Sequence, residues 1–285
     1  MGQSDTGQIT VAVLMTLHRG DDIALFELAM RSIETQRCDG VLTRIYLCVD
    51  GALRRRQRRW LVAHHARFHH IARHARAQGL AASLNRLINA LGQERYVFRM
   101  DGDDISHPDR FATQIRYLEA HPDIALVGCQ AMDIDGTGQP LAPRDYPSSH
   151  GQCRRALTRL NPVLHPTFCI RREVLRDPAL RYPEAYLTED LAFLVRLSAK
   201  RHAIANIPER LFFWRVTPSF FRRRHSLRRA LVEMKWYAIA VYTQEGLLSR
   251  NYVYALARVM LRTSPVPVQK LIYASSLRAK ILSMT

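Results

Sequence analysis

Three carboxylates fall within four residues at the end of an apolar run. In YVFRMDGDD, Tyr96 to Asp104, Asp101, Asp103 and Asp104 are interrupted only by Gly102. Like charges this close repel, so the stretch needs an opposite charge. Two carboxylates on one side of a tight turn suit a hard divalent cation, Mg2+ or Mn2+, which keeps waters and bridges substrate phosphates. The glycine is expected to permit the backbone bend. The structural alternative is a capping cluster, because acids favour a helix N-terminus. In SHPDR, Ser106 is the expected cap and Pro108 falls near the first turn. One cap uses one acid, and two remain to be explained.

Other residues could join this chemistry. Asp50 ends an apolar run in VDG, where it reads as a turn former or as a ligand contact. LTEDLAF places Glu189 and Asp190 at a helix start. There they complement the dipole with Thr188 as cap, or one of them serves as a general base that deprotonates a hydroxyl. The histidines at 64, 65, 69 and 70 lack an accompanying Cys or acid and read as solvated surface. The arginine run from Arg54 to Arg59 reads as a solvated helix face.

The elements that must position these residues follow from periodicity. ITVAVLMTL and VLTRIYLCV are continuous apolar runs of buried-strand type. Amphipathic helical segments alternate with them, and GLAASLNRLINALG is a helix bounded by glycines. The order β-α-β-α-β-α-β over the first 100 or so residues implies a parallel sheet covered on both faces. Such sheets bind ligands outside the carboxyl ends of their strands. Asp50 and the Asp101 cluster both lie at such ends. The second half is more mixed, with a strand and hairpin in ALVGCQAMDIDGTGQPL and a long extended stretch in AIANIPERLFFWRV.

With 285 residues and 47% hydrophobic content, the chain can build a substantial core. Its five cysteines are odd in number and lack a C-x-x-C, which suits free thiols in a reducing compartment. Met1 to Gln8 shows no signal-peptide pattern, and no apolar run reaches the ~18 residues of a membrane span. A cytoplasmic location is expected. The net charge of +17 is uneven. Residues 221–285 carry 12 Lys/Arg against 2 Glu, including Arg222, Arg223, Arg224, Arg228 and Arg229 beside Trp236, Tyr237 and Tyr242. A basic amphipathic segment with interfacial aromatics can lie on an anionic membrane surface. Two units are expected, residues 1–220 and a basic helical extension at 221–285.

The order of these motifs resembles the family 2 inverting glycosyltransferases, including the bacterial enzymes of capsule, exopolysaccharide and O-antigen synthesis. The resemblance runs through VAVLMTLHRGD, CVDG, GLAASLNRLINA, RMDGDDISHPDRF, DIALVGCQ, HPTFCIRREVL, TEDLAFLVRL and ERLFFWRV. It implies an α/β fold of the GT-A type, a mixed, mostly parallel sheet with helices on both faces. It implies a transferase of hexosyl type acting from a nucleotide-diphosphate sugar, UDP-type, on a saccharide or lipid-linked acceptor, at the inner face of the cytoplasmic membrane. Asp50 would contact the donor's base; Leu17, Gly79, Asn85 and Gly102 would line the nucleotide-sugar site. Asp101 and Asp103 would meet ribose, diphosphate and metal, with Asp104 in support. Asp190 would be the base with Glu189 beside it. His165, Arg172 and Arg196 would lie toward the acceptor. No nucleic acid is expected as a partner. The chain departs from the family at His18-Arg19, at the single acid before Gly51, and at Thr217, where many relatives carry a His. A metal-dependent nucleotidyltransferase would also use paired Asp, but TLHRGDD lacks the glycine-rich basic loop it needs. A basic nucleic-acid-binding protein would not place acids at the strand ends.

Overall fold

A computed structural model describes residues 8–216 and 226–264. The sheet strands are β1 (Ile9–His18), β2 (Val41–Asp50), β3 (His70–His74), β4 (Tyr96–Arg99), β5 (Ile105–Ser106), β6 (Ile124–Ile134), β7 (Pro140–Arg144), β8 (Cys169–Arg171) and β9 (Ala203–Arg215). Their order is β3-β2-β1-β4-β8-β6-β9-β5, with β7 beside β6. The first four strands are all parallel, as the alternation of strand and helix predicts. Beyond β4 the sheet mixes. β8 runs antiparallel to both β4 and β6, while β6 and β9 are parallel.

Helices cover both faces because β1 is apolar on both. Val11, Val13, Met15 and Leu17 point into one core, and Ala12 and Leu14 into the other. The first core is closed by α1 (Ile23–Glu34), through Phe26 and Met30, and by α4 (Arg110–Ala120), through Phe111 and Leu118. The second is closed by α3 (Leu80–Asn89), α5 (His150–Leu157) and α6 (Glu189–Ala199). Asp22 caps α1, accepting from the Ala24 N–H at 2.7 Å. The helix α2 (Arg55–Ala63) carries the arginine run, turning only Gln57 and Leu61 fully inward.

Two further helices follow, α7 (Leu227–Glu245) and α8 (Tyr252–Thr263). They are docked on the sheet domain. Tyr237 and Ala240 of α7 and Ala255 of α8 belong to the second core. The expected boundary at residue 220 lies outside the described residues, as do Arg222, Arg223 and Arg224. Among the described residues no helix is long and apolar enough to cross a membrane. All five cysteines are free, and four are buried. Burial pushes the thiols up, Cys129 to about 11 and Cys153 to about 12.

Two sequence expectations change. Ser106 does not cap α4. It is held in β5 against Phe212, and its amide donates to Ser32 Oγ at 3.1 Å. Asp109 takes the N-cap position without a capping bond, its carboxylate paired with Arg37 at 2.9 Å. Gly102 is not among the glycines of positive φ. Its need is space, because a Cβ there would lie 2.7 Å from Phe26 Cδ2.

Gly102→Ala should therefore cost about 1–3 kcal/mol by overpacking, and Phe26→Leu in the same chain should recover part of it, as read by chemical denaturation. Tyr237→Ala should cost on the order of 3–5 kcal/mol; a cost near zero would show that α7 is not part of the core.

Candidate active site

The carboxyl edge of the parallel strands gathers the expected residues. Asp50 ends β2 in register with His18. Its two carboxylate oxygens accept the backbone N–H groups of Gln78 at 2.7 Å and Gly79 at 2.9 Å. That pair of bonds fixes the start of α3, where Gly79 has φ +88° and only glycine sits without strain. Leu17 is fully buried in the core, so only its backbone reaches this edge. Asn85 uses its side-chain amide on the backbone of Tyr182, donating to the carbonyl and accepting from the N–H, both at 2.8 Å. It ties α3 to the loop before α6, which shapes a wall without offering a free amide to a ligand.

The acidic turn is compensated from within the chain. Arg99, buried at the end of β4, donates to Asp101 Oδ1 and to the Met100 carbonyl. Arg215, buried at the end of β9, donates through Nε to the Asp103 carbonyl at 2.7 Å and through Nη1 to the carbonyls of Asp135 and Gly136. Its backbone N–H donates to Asp104 Oδ1 at 2.8 Å. Asp104 is buried, and its Oδ2 has no partner among the described residues. Burial, and then repulsion by Asp103 and Asp101, push its carboxyl well above the ordinary 3.8, favouring the protonated form. Asp101 keeps 34% of its side chain exposed, and Asp103 is also part exposed.

The second acidic group is the start of α6. Leu187 precedes it with φ +56°, a strained conformation for a side-chain-bearing residue. Glu189 accepts the Leu187 N–H at 3.2 Å. Burial raises its pKa above 4.5, with the Asp190 charge adding to the effect and Arg229 of α7 opposing it. Asp190 accepts a bond from Asn161 Nδ2 at 2.7 Å. Asn161 is in turn fixed by the Val163 N–H at 3.2 Å. The buried Tyr182 hydroxyl feels both acidic groups. Burial raises its pKa; Asp190 and Asp101 both add to that and Arg99 opposes it. Asp101 and Asp190, 89 positions apart in sequence, thus both act on Tyr182.

Of the three residues expected toward an acceptor, His165 lies beside Tyr182, while Arg172 and Arg196 are engaged elsewhere. His165 is buried, its Nε2 3.0 Å from the Tyr182 hydroxyl. Burial, and then the Arg99 charge, hold its imidazole well below 6.5, hence neutral. It supports Tyr182 from behind. Arg172 lies at the opposite edge, because β8 runs antiparallel to β4. Its N–H bonds the Arg95 carbonyl at 3.1 Å, one residue before β4 begins. At about 3.3 Å per residue that is on the order of 20 Å from Asp101. Arg196 points away along α6, donating to the carbonyls of Arg181 at 3.0 Å and Ala179 at 3.4 Å. Thr217 lies outside the described residues. Arg99, Arg215, Asn161 and Tyr182 are additions that motif reading missed. Arg99 alone had a signal, being a charged residue in an otherwise apolar strand.

Among the described residues no three His, Cys, Asp or Glu side chains cluster as a metal site. Asp101 and Asp103 still fit a hard cation whose other ligands come from a diphosphate and water. Asp101 keeps Oδ2 clear of its bond to Arg99. Asp104, buried and favoured in its neutral form, does not fit as a ligand.

The chain matches the family model described as Glycosyl transferase family 2 over residues 29–177. It is 29% identical over 194 residues to the amylovoran biosynthesis glycosyltransferase AmsE of Erwinia amylovora, covering 67% of this chain and 72% of that protein. It is 23% identical over 209 residues to the Escherichia coli UDP-Gal:alpha-D-GlcNAc-diphosphoundecaprenol beta-1,3-galactosyltransferase, covering 70% and 72%. In fold it is similar to S. aureus TarS 1–349, with a TM-score of 0.63 at 12% identity over 89% of this chain and 71% of that one. Against the longer TarS structure the chain spans 43% of the length. It is also similar to the mannosyltransferase PcManGT from Pyrobaculum calidifontis, in complex with GDP-Man and Mn2+, with a TM-score of 0.58 at 15% identity over 94% and 80%. The GT-A sheet, the strand-end acids and the family match over more than half the chain lead to one statement: the chain belongs to glycosyl transferase family 2 and is a glycosyltransferase.

Proposed function

We propose that the enzyme is an inverting transferase. It moves a sugar from a nucleotide-diphosphate donor, UDP-type, to a hydroxyl of a lipid-linked saccharide during surface polysaccharide synthesis, at the inner face of the cytoplasmic membrane. The observation that carries this reading is the gathering of Asp50 and the part-exposed Asp101 and Asp103 at the carboxyl edge of the parallel strands. The Escherichia coli relative, whose name states a UDP-Gal donor and a diphosphoundecaprenol-linked acceptor, supports the same direction.

In this reading Asp101 and Asp103 hold the donor diphosphate side together with Mg2+ or Mn2+. When bound, the cation would supply positive charge against the leaving diphosphate. Asp50, Gly79 and the α3 start border the base and ribose. Asp190 removes the proton of the acceptor hydroxyl, and the acceptor oxygen bonds to the anomeric carbon as the bond to diphosphate breaks. The displacement occurs from the opposite face, so configuration inverts without a covalent enzyme intermediate. Asn161 holds Asp190 in orientation by donating to one oxygen. Glu189 is its half-buried neighbour.

Asp190→Asn should lower turnover by roughly a hundredfold or more, and Asp103→Ala should abolish it with the melting temperature unchanged; near-normal transfer in either would remove that residue's role. A panel of nucleotide sugars with Mn2+ should contain at least one member that raises the melting temperature, and a panel without effect would sink the donor reading. Glu189 gives a pH test. The unfolded chain ionises it near 4.5 and the folded chain higher. Its contribution thus favours the fold below 4.5 and is lost as pH rises through the folded value. Glu189→Gln keeps the acceptor for Leu187 and should melt higher than wild type at pH 7, with the gap closing toward pH 4.

A further inference from the structure

The α7–α8 hairpin carries an apolar surface that the fold leaves open. Of the fourteen large apolar side chains exposed among the described residues, eight fall within residues 226–264. Five of them fall on the interhelical loop and on α8. Leu247 and Leu248, 75% and 98% exposed, occupy the loop between the helices. Val253, Leu256 and Met260, 59%, 61% and 75% exposed, follow on α8 at the i, i+3, i+7 spacing of a single helical stripe. The opposite face of α8 turns Ala255 into the core. The stripe is therefore the outward face of a docked helix.

The charge around the patch says what it fits. Arg250, exposed, stands between the two leucines and α8. Of the two acids in the hairpin, Glu233 is buried within 3.8 Å of Arg229, and Glu245 is engaged by Asn251 and Ser249. Residues 221–285 as a whole carry 12 Lys/Arg against these 2 Glu. Apolar side chains beside the exposed Arg250, in a region of net positive charge by sequence, complement an anionic phospholipid interface, where the leucines enter among acyl chains and the arginine stays at the headgroups.

We propose that this hairpin is the membrane-docking element, with Leu247, Leu248 and the Val253–Leu256–Met260 stripe entering the headgroup boundary of an anionic bilayer. The assignment rests on the membrane-surface reading above and names the surface that performs it. Because α7 packs on α6, whose first turn carries Glu189 and Asp190, docking here would hold the active site at a fixed attitude to the bilayer.

The test is co-sedimentation of the full chain with phosphatidylglycerol/phosphatidylethanolamine vesicles and with phosphatidylcholine vesicles, comparing wild type, Leu247→Ser/Leu248→Ser/Met260→Ser and Leu247→Arg/Leu248→Arg. Wild type should partition onto the anionic vesicles and weakly onto the neutral ones. Both variants should lose about tenfold or more in partitioning, at an unchanged melting temperature. The arginine variant separates insertion from charge, because binding by charge alone would tighten when two cations are added. If wild type binds no vesicle, the membrane-surface reading falls and this proposal with it. If wild type binds and the serine variant binds equally, the membrane reading stands and the hairpin assignment is overturned. Equal binding to neutral vesicles would overturn the charge argument. A wild-type dimer in light scattering that the serine variant dissolves would assign the patch to a second copy of the chain instead.

Discussion

An acidic turn at the end of a buried strand stands only where positive charge reaches it from below. Carboxylates removed from water without partners are costly enough to change protonation or unfold their surroundings. Here Arg99 and Arg215, each nearly out of solvent, approach the turn from β4 and β9. Arg99 pairs with Asp101, while Arg215 grips the turn's backbone and links it to the hairpin after β6. Asp104 meets its burial the other way, by favouring the neutral form. The turn is thus a scaffolded feature before any ligand arrives. Its two part-exposed carboxylates are what remain to face a donor.

Much of this arrangement was legible in the amino-acid sequence, and the reasons are local. Apolar runs alternating with amphipathic helices specify parallel strands, and acids at the ends of such runs fall on the carboxyl edge. The metal-and-nucleotide account of the charge cluster was incomplete because one of its two internal arginine partners sits across the sheet. Arg215 is 111 positions from Asp104. No periodicity encodes such a pairing. Arg172 lies away from the site for a topological reason, whereas His165, at the other end of the same segment, stays beside Tyr182. An antiparallel strand inserted between β4 and β6 reverses which end of the segment faces the site, and HPTFCIRREVL reads the same in either direction of pairing. Gly102 was noticed as special for the wrong cause: the backbone is ordinary, and the aromatic ring of Phe26 decides the residue.

The basic character of the C-terminal region also divides once its contacts are seen. Arg229 lies near Glu189 and moderates that group's burial. Arg228 stacks on Tyr186, 4.5 Å from the ring centre, just ahead of the strained Leu187. Arg196 of α6 faces Trp236 of α7 at 6.0 Å. Part of the cationic excess therefore serves the α6 start and its packing, whereas Arg250 faces outward beside the apolar loop. A net charge read from composition merges these uses, and only placement separates them.

The sheet also determines how the chain meets oxidants. Three of five thiols lie on its strands and a fourth, Cys153, on α5, and burial holds them in the protonated form that neither attacks disulfides nor binds soft metals readily. Sulfur here is packing volume, polarizable and unreactive. Cys38, only half-buried, is the thiol left within reach of solvent. An electrophilic probe added to the folded enzyme would meet one address, and the appearance of further reactive thiols would report the loosening of the sheet itself.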